Sequence, residues 1–272
     1  MDNKKRTAIQ VIAALVQNAN FKGFFTGKIY TGQTKQVCVP GLNCYSCPGA
    51  LGACPVGSLQ NALSSMKFKI PYYVLGLLIF FGVILGRLVC GFLCPFGLVQ
   101  DLLNKIPFYK KIKEWKGDKI LRYLKYIVLI VFVIVLPVIH KMTPYFCKYI
   151  CPSGTISGIL LSIADSSLCQ VLGAIFAWKF SLLVLFIFLS IIIFRPFCKY
   201  ICPLGAFYGL FNKFALVSLN LDHEKCVDCK LCAAACDMCV DPSVDANSPE
   251  CIRCGKCINA CPQKALQMKF KK

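Results

Sequence analysis

The sequence predicts an α-helical integral membrane protein with a small polar α+β domain at its C-terminal end. Three observations predict it. Of 272 residues, 57% are apolar and only 16% charged, too oily for disorder or for an ordinary soluble domain. Three runs, roughly Pro71 to Val89, Ile120 to Ile139 and Val171 to Phe194, are long and apolar enough to cross a bilayer. Seven of the twelve acids (Asp222, Glu224, Asp228, Asp237, Asp241, Asp245, Glu250) crowd one C-terminal stretch, which marks a separate polar domain. The formal charge of +19 counts every cysteine as neutral. Thiolate ligands would lower it considerably, so no nucleic-acid binding is read from the basic balance.

In chain order, residues 1–26 form an N-terminal helix. Its apolar residues between Thr7 and Phe25 are interrupted by Gln10, Gln17, Asn18 and Asn20, which makes it a marginal span, and no signal-peptidase site follows. Residues 27–70 are a cysteine-rich loop outside the cytoplasm, residues 71–219 the membrane helices, and residues 220–272 the polar cytoplasmic domain. Arg122, Lys125 and Lys179 near span ends snorkel to the interface. Orientation follows from the short loop carrying Lys105, Lys110, Lys111, Lys113, Lys116 and Lys119, which belongs in the cytoplasm. Alternation then puts Cys147 and Cys151 outside and Cys90, Cys94, Cys198 and Cys202 inside. An additional or re-entrant helix between Ile156 and Ala177 is the alternative.

Twenty cysteines in a chain of this length point to metal rather than disulfides, because they fall into runs with metal-ligand spacing. Cys226-x2-Cys229-x2-Cys232-x3-Cys236 is followed by Cys251-x2-Cys254-x2-Cys257-x3-Cys261-Pro262, the doubled run of a bacterial 2x4Fe-4S ferredoxin. In that pattern three closely spaced thiolates take one cluster and the fourth crosses to the other. Cluster one would use Cys226, Cys229, Cys232 and Cys261; cluster two would use Cys251, Cys254, Cys257 and Cys236. Two zinc sites are the alternative reading. Asp237 stands where a proline would follow Cys236, and the extra Cys239 competes with Cys236, whose spacing matches the second run.

Upstream, Cys54-Pro55-Val56-Gly57, Cys94-Pro95-Phe96-Gly97, Cys151-Pro152-Ser153-Gly154 and Cys202-Pro203-Leu204-Gly205 are four copies of Cys-Pro-x-Gly, the first two with Gln60 and Gln100 behind them. Cys90, Cys147 and Cys198 stand four residues before the last three copies, giving Cys-x3-Cys-Pro. The first copy has Cys38, Cys44 and Cys47 instead. Proline suits the first position of a helix, so each cysteine before it sits at a helix N-terminus, where free N–H groups and the dipole favour a thiolate. Two such pairs supply four ligands. Cys90, Cys94, Cys198 and Cys202 would hold a third 4Fe-4S cluster, and Cys38, Cys44, Cys47, Cys54, Cys147 and Cys151 one or two more, not allocated residue by residue. Redox-active dithiols or structural cysteines are the alternative. Cys169 reads as a packed small hydrophobe.

At these motifs the chain resembles the NapH and NosR class of membrane iron-sulfur proteins, polyferredoxin-like carriers whose relatives include the assembly protein CcoG. The resemblance covers nearly the whole chain, and implies electron transfer between quinol or a cytoplasmic donor and a redox partner across or along the membrane. The chain departs from the simplest pattern in its three Cys-x3-Cys-Pro copies and its Cys44-Tyr-Ser-Cys47-Pro loop. It also lacks the long flavin-binding region that NosR-like proteins carry outside the cytoplasm.

The expected function is therefore a multi-pass carrier in the cytoplasmic membrane, passing electrons from a cytoplasmic donor, such as a ferredoxin or flavoprotein, to an acceptor on the far side. A quinol dehydrogenase subunit, with quinone as a further cofactor, and a metal-reducing maturation factor are the alternatives. His140 and His223 are read as interfacial and surface residues, and Asp165 with Ser166 and Ser167 as a loop or helix cap. Arg87 and Arg195, each three residues before a cysteine pair, are read first as snorkelling cations and second as charges that raise a cluster's potential. Tyr72, Tyr73, Tyr123, Tyr126, Tyr145 and Tyr149 form an interfacial belt. No nucleotide loop, paired-carboxylate site or Ser-His-Asp arrangement is present.

Overall fold

The structure, a computed structural model, describes residues 3–65, 71–108, 111–141, 143–164 and 173–271. It is mostly helical, with one small sheet. The expectations for Asp165, Ser166, Ser167 and Cys169 lie outside the described residues.

The N-terminal helix Asn3–Gln17 stops where the amides begin, and a short helix, Phe21–Thr26, follows. Asn18 donates back to Ala14 O and Asn20 to Pro48 O, so the polar residues that made the run a marginal span also divide it. At 1.5 Å per residue, 15 residues reach about 22 Å, short of a bilayer core of about 30 Å. Its buried positions Arg6 and Gln10 lie one turn apart against the helix Pro95–Lys105.

The first of the three expected spans is divided as well. Tyr72–Leu85 ends at Gly86, whose φ of 55° only glycine adopts freely and where a Cβ would lie 2.6 Å from Asn212 Oδ1. Leu88–Phe92 then starts as a separate helix. The other two runs hold: Asp118–Ile139, with a π-wound middle at Val128–Val135, and Ala174–Ile192 are long and apolar enough to cross a membrane. Most of their apolar surface faces outward, as Ile127, Ile130, Trp178 and Phe188 do. Pro152–Ala164 is a further apolar helix, in the region where an additional one was the alternative.

Each Cys-x3-Cys-Pro motif builds the same local form. Its first cysteine sits in a five-residue helix (Leu88–Phe92, Tyr145–Tyr149, Pro196–Tyr200), and a longer helix starts at the proline after its second (Pro95–Lys105, Pro152–Ala164, Pro203–Phe211). Pro55–Leu63 starts in the same way after Cys54.

The C-terminal part is an antiparallel pair, β1 (Val217–Leu221) and β2 (Leu266–Phe270), with Val217 opposite Phe270 and Leu221 opposite Leu266. The one-turn helices Leu231–Ala234 and Lys256–Ala260 lie between the strands in sequence. Leu219, Cys257 and Leu266 form its small core. Met238, Val240 and Ile252, however, belong to the main core with Val89, Phe197 and Leu204.

Buried polar contacts lock this part to the helices. Arg87 donates to Pro249 O (2.7 Å) and pairs with Glu250 (3.0 Å), whose other oxygen takes Lys125. Arg253 donates to Leu85 O (2.9 Å) and Asn212 O (2.6 Å), and Asn212 donates to Ser248 O and Cys251 O. From the basic loop, Lys113 adds a hydrogen bond to Ala234 O.

Candidate metal centres

Two hollows in the C-terminal part are lined by cysteines. Cys226, Cys229, Cys232 and Cys261 line one, with Leu221 and Leu266; Cys236, Cys251, Cys254 and Cys257 line the other, with Met238 and Ile252. Each hollow therefore takes three cysteines from one run and the last cysteine of the other. Asp228 and Arg253 occupy the same place in the two runs and both have positive φ (48° and 53°), as Lys230 and Gly255 do one residue after the second cysteine. Alternation of this kind turns successive N–H groups toward one concave side, a form that holds anions. The N–H of Arg253 donates to Cys251 Sγ at 3.4 Å. Burial pushes the Cys257 thiol up to about 12 and Cys251 to about 11, so iron taking these sulfurs must displace protons.

A second group, here the inner set, is built by two Cys-x3-Cys-Pro motifs. Cys90, Cys94, Cys198 and Cys202 are all buried. Burial pushes Cys198 up to about 12, and the charges of Cys94 and Cys90 act on it further; Cys202 is raised well above the ordinary thiol range by burial and then by Cys198, Cys90 and Cys94. Hydrogen-bond donors point at these sulfurs: Gln100 Nε2 to Cys198 (3.0 Å), Leu42 N to Cys94 (3.4 Å) and Gly205 N to Cys202 (3.4 Å). Gln100 is held for this by accepting from Phe197 N at 3.2 Å.

Arg87 and Arg195 do not snorkel. Both are fully buried, and each donates to the carbonyl of the first cysteine in the opposite motif, Arg87 to Cys198 O (3.2 Å) and Arg195 to Cys90 O (2.6 Å). Asp101 grips Arg195 through two 2.6 Å hydrogen bonds and also pairs with Arg6 at 3.2 Å. Burial alone would raise the Asp101 carboxyl, but Arg195 and then Arg6 outweigh it and hold it below the usual carboxylate range.

Of the six cysteines left unallocated by sequence, four come together. Cys147 is raised by burial and then by the charges of Cys151, Cys54 and Cys44, while Cys151 is pushed up to about 11 by burial and then by Cys44. A Cβ on Gly57 would lie 3.8 Å from Cys147 Sγ, and one on Gly154 3.9 Å from Cys44 Sγ. Cys44, Cys54, Cys147 and Cys151 thus form the outer set, next to an open cleft lined by Lys35, Gln36, Tyr45, Ser58, Asn61 and Cys147. Cys38 lies 3.5 Å from Ser58 Oγ, and Cys47 is buried in the loop turn, where it acts with Cys44 on Lys35. Lys179, the residue given a snorkelling role, donates to Cys147 O at 3.2 Å. No sequence signal pointed to that contact.

The C-terminal part packs directly on the inner set. A Cβ on Gly91, next to Cys90, would lie 2.5 Å from Ile252 O, next to Cys251. On the other side, Gly41 packs so closely on Cys94 that its Cβ would lie 2.9 Å from Cys94 Cα. Tyr208, fully buried, donates to Pro40 O (3.0 Å) between the inner sulfurs and Cys54.

Cys239 stands apart from both hollows: its thiol donates to Lys113 O at 3.0 Å, a role that needs the proton a ligand would lose. His140 stacks on Tyr145, 5.6 Å between ring centroids, and His223 is exposed. Among the described residues no three His, Cys, Asp or Glu side chains converge tightly enough for a single ion. No described cysteine is in a disulfide. Sets of four thiols, with N–H donors aimed at the sulfurs, suit a 4Fe-4S cube, in which each thiolate takes one iron.

Comparison with known proteins agrees with that chemistry and makes the chain an iron-sulfur electron-transfer protein. The family described as "4Fe-4S binding domain" matches residues 71–116, 124–165 and 175–221, and a second family of the same description matches 247–267. The chain belongs to this ferredoxin-type 4Fe-4S family. A Methanocaldococcus jannaschii protein, MJ0750, is 32% identical over 198 residues, 69% of this chain and 74% of its own length. Ferredoxin-type protein NapH of Haemophilus influenzae is 26% identical over 207 residues, 70% of this chain and 65% of NapH. Regulatory protein NosR of Stutzerimonas stutzeri is 31% identical over 174 residues, 62% of this chain but only 22% of NosR. No solved structure matches the chain.

Proposed function

We propose that the protein carries electrons across the cytoplasmic membrane through four 4Fe-4S clusters in series. In this reading the outermost ferredoxin cluster (Cys226, Cys229, Cys232, Cys261) receives electrons from a cytoplasmic donor. They pass to the second (Cys236, Cys251, Cys254, Cys257), to the inner set (Cys90, Cys94, Cys198, Cys202) and to the outer set (Cys44, Cys54, Cys147, Cys151). An acceptor outside the cytoplasm takes them from there.

The observation that carries this reading is the packing of Ile252 on Gly91 and of Gly41 on Cys94, with Tyr208, on which both the inner sulfurs and Cys54 act, bonded to Pro40 O beside Gly41. Cys229 is exposed at one end, beside the exposed Val227 and Leu231, and offers a place for a redox protein to dock. Cys147 borders the open cleft at the other end. The membrane supplies what the outward apolar faces of Asp118–Ile139 and Ala174–Ile192 need, since those helices are about 33 and 28 Å long against a hydrocarbon core of about 30 Å.

Iron and acid-labile sulfide counted anaerobically test the reading, together with EPR on Cys90→Ser and Cys147→Ser. About sixteen irons, falling by about four in each variant, is the expected result. About eight, unchanged in both, would reduce the protein to a ferredoxin tethered to helices. The cleft beside Cys147 favours a second reading, in which the far-side partner is a small molecule such as a quinol. Reduction of the purified clusters by a quinol, lost in Cys147→Ser, would select it.

A further inference from the structure

The inner and outer sets are built on one plan, and the plan assigns two residues to the outer set: Gln60, behind the first Cys-Pro-x-Gly copy, and Lys179, to which no motif pointed. In the inner set a glutamine six residues after the Cys-Pro cysteine, Gln100, donates to the first sulfur of the facing motif, Cys198, and accepts from the N–H of the residue before it, Phe197. Gln60 stands six residues after Cys54 on the equivalent helix. It is fully buried, and neither its Nε2 nor its Oε1 has a partner. A buried amide left unpaired is costly, which marks it as open to a partner.

The facing motif of the outer set begins at Cys147, preceded by Phe146. Phe146 is the second residue of Tyr145–Tyr149, as Phe197 is of Pro196–Tyr200, and a first-turn N–H has no acceptor within its own helix. Gly57, one turn before Gln60 on the same helix, already brings that helix within van der Waals reach of Cys147 Sγ.

The cation is matched too. Arg87 Nη2 lies 3.2 Å from Cys198 O and 3.4 Å from where a Cβ on Gly205 would be; Lys179 Nζ lies 3.2 Å from Cys147 O and 3.5 Å from where a Cβ on Gly154 would be. Gly205 and Gly154 hold the same place in their Cys-Pro-x-Gly copies. The two cations come from unrelated places in the chain. Arg87 is neutralised by Glu250, whereas Lys179 has no carboxylate partner among the described residues.

We propose that Gln60 and Lys179 are the hydrogen-bond donor and the cation of the outer cluster, with the Gln60 amide turned onto Cys147 Sγ and Phe146 N, and that together they raise that cluster's reduction potential. This rests on the four-cluster reading above. Both are positioning residues: a donor to a ligand sulfur and a fixed positive charge each stabilise the reduced, more negative cluster.

The test is an EPR-monitored redox titration of the full-length protein in detergent, with the outer signal identified as the one missing from Cys147→Ser. Lys179→Gln is expected to lower the outer potential enough to change the electron's equilibrium between outer and inner clusters about tenfold, 59 mV for one electron. Gln60→Leu, which keeps a side chain of similar bulk and removes only the amide, should give a smaller drop in the same signal. Lys179→Arg should restore the wild-type value, and the other three clusters should not move.

An outer potential unmoved in both Gln60→Leu and Lys179→Gln, with the full iron count, overturns the inference alone. A shift shared by all clusters overturns it as well, because it would report a general change of structure. Wild-type protein holding no outer iron overturns the four-cluster reading and this inference with it.

Discussion

The inner and outer cysteine sets share a plan but differ in how they are closed. Around the inner set every cation is answered: Arg87 by Glu250, Arg195 by Asp101, and Gln100 has a partner at each end of its amide. The C-terminal part closes it from one side, with Ile252 on Gly91. In the outer set Cys44 and Cys147 are only half-buried, Lys179 meets a carbonyl and no described carboxylate, and the cleft opens beside them. A sealed centre exchanges electrons only with its neighbours, whereas an exposed one can serve a partner. Under the proposed function, the difference suits the inner set to relay and the outer to delivery.

Cutting the relay should separate the two most sharply. Cys90→Ser is expected to leave the two ferredoxin clusters reducible by dithionite-free ferredoxin while the outer cluster stays oxidised. Cys147→Ser should still allow the inner cluster to be reduced. Stopped-flow spectra showing the outer cluster filling at the wild-type rate in Cys90→Ser would break the series arrangement.

Next comes the closure itself. Glu250→Ala leaves Arg87 and Lys125 buried without their carboxylate, a loss of roughly 3–5 kcal/mol that denaturant titration should read as earlier release of the C-terminal part. Lys179→Gln, having no described counter-ion to orphan, should not shift that transition. Equal destabilisation by both would contradict the contrast between answered and unanswered cations.

A pH effect follows from the same pairing. Asp101 has a lowered pKa in the folded protein, so its contribution is complete above the unfolded carboxylate value of about 3.9 and is lost as pH falls through the lower folded one. Acid unfolding followed by helical circular dichroism should therefore be less steep in Asp101→Asn, which carries no titrating carboxyl, and the variant should be the less stable at neutral pH. The smallest effect is reserved for the bystanders: Cys239→Ser and Cys38→Ala should keep the whole iron complement, and loss of about four irons in either would redraw its set.

How much of this was legible depended on how local the cause was. Helix starts after Cys54, Cys94, Cys151 and Cys202 follow from a proline one residue on, and were readable. The division of the first expected span was not, because Gly86 adopts its turn against Asn212, more than a hundred residues away. The burial of Arg87 and Arg195 escaped for the same reason: nothing near Arg87 in sequence announces Glu250, and snorkelling is the ordinary fate of a cation beside an apolar run. Lys179 carries no motif at all.

The sequence by itself determined the ligand chemistry. Thiolates spaced two and three residues apart can close on one centre, and a proline after cysteine opens a helix at it, because both depend only on short stretches of backbone. Tertiary structure alone decided which distant pairs meet, that Cys44 comes to Cys54, Cys147 and Cys151, and which buried cation is neutralised. Those outcomes depend on helices packing across long separations, and the burial of a charge is settled only by what packs against it.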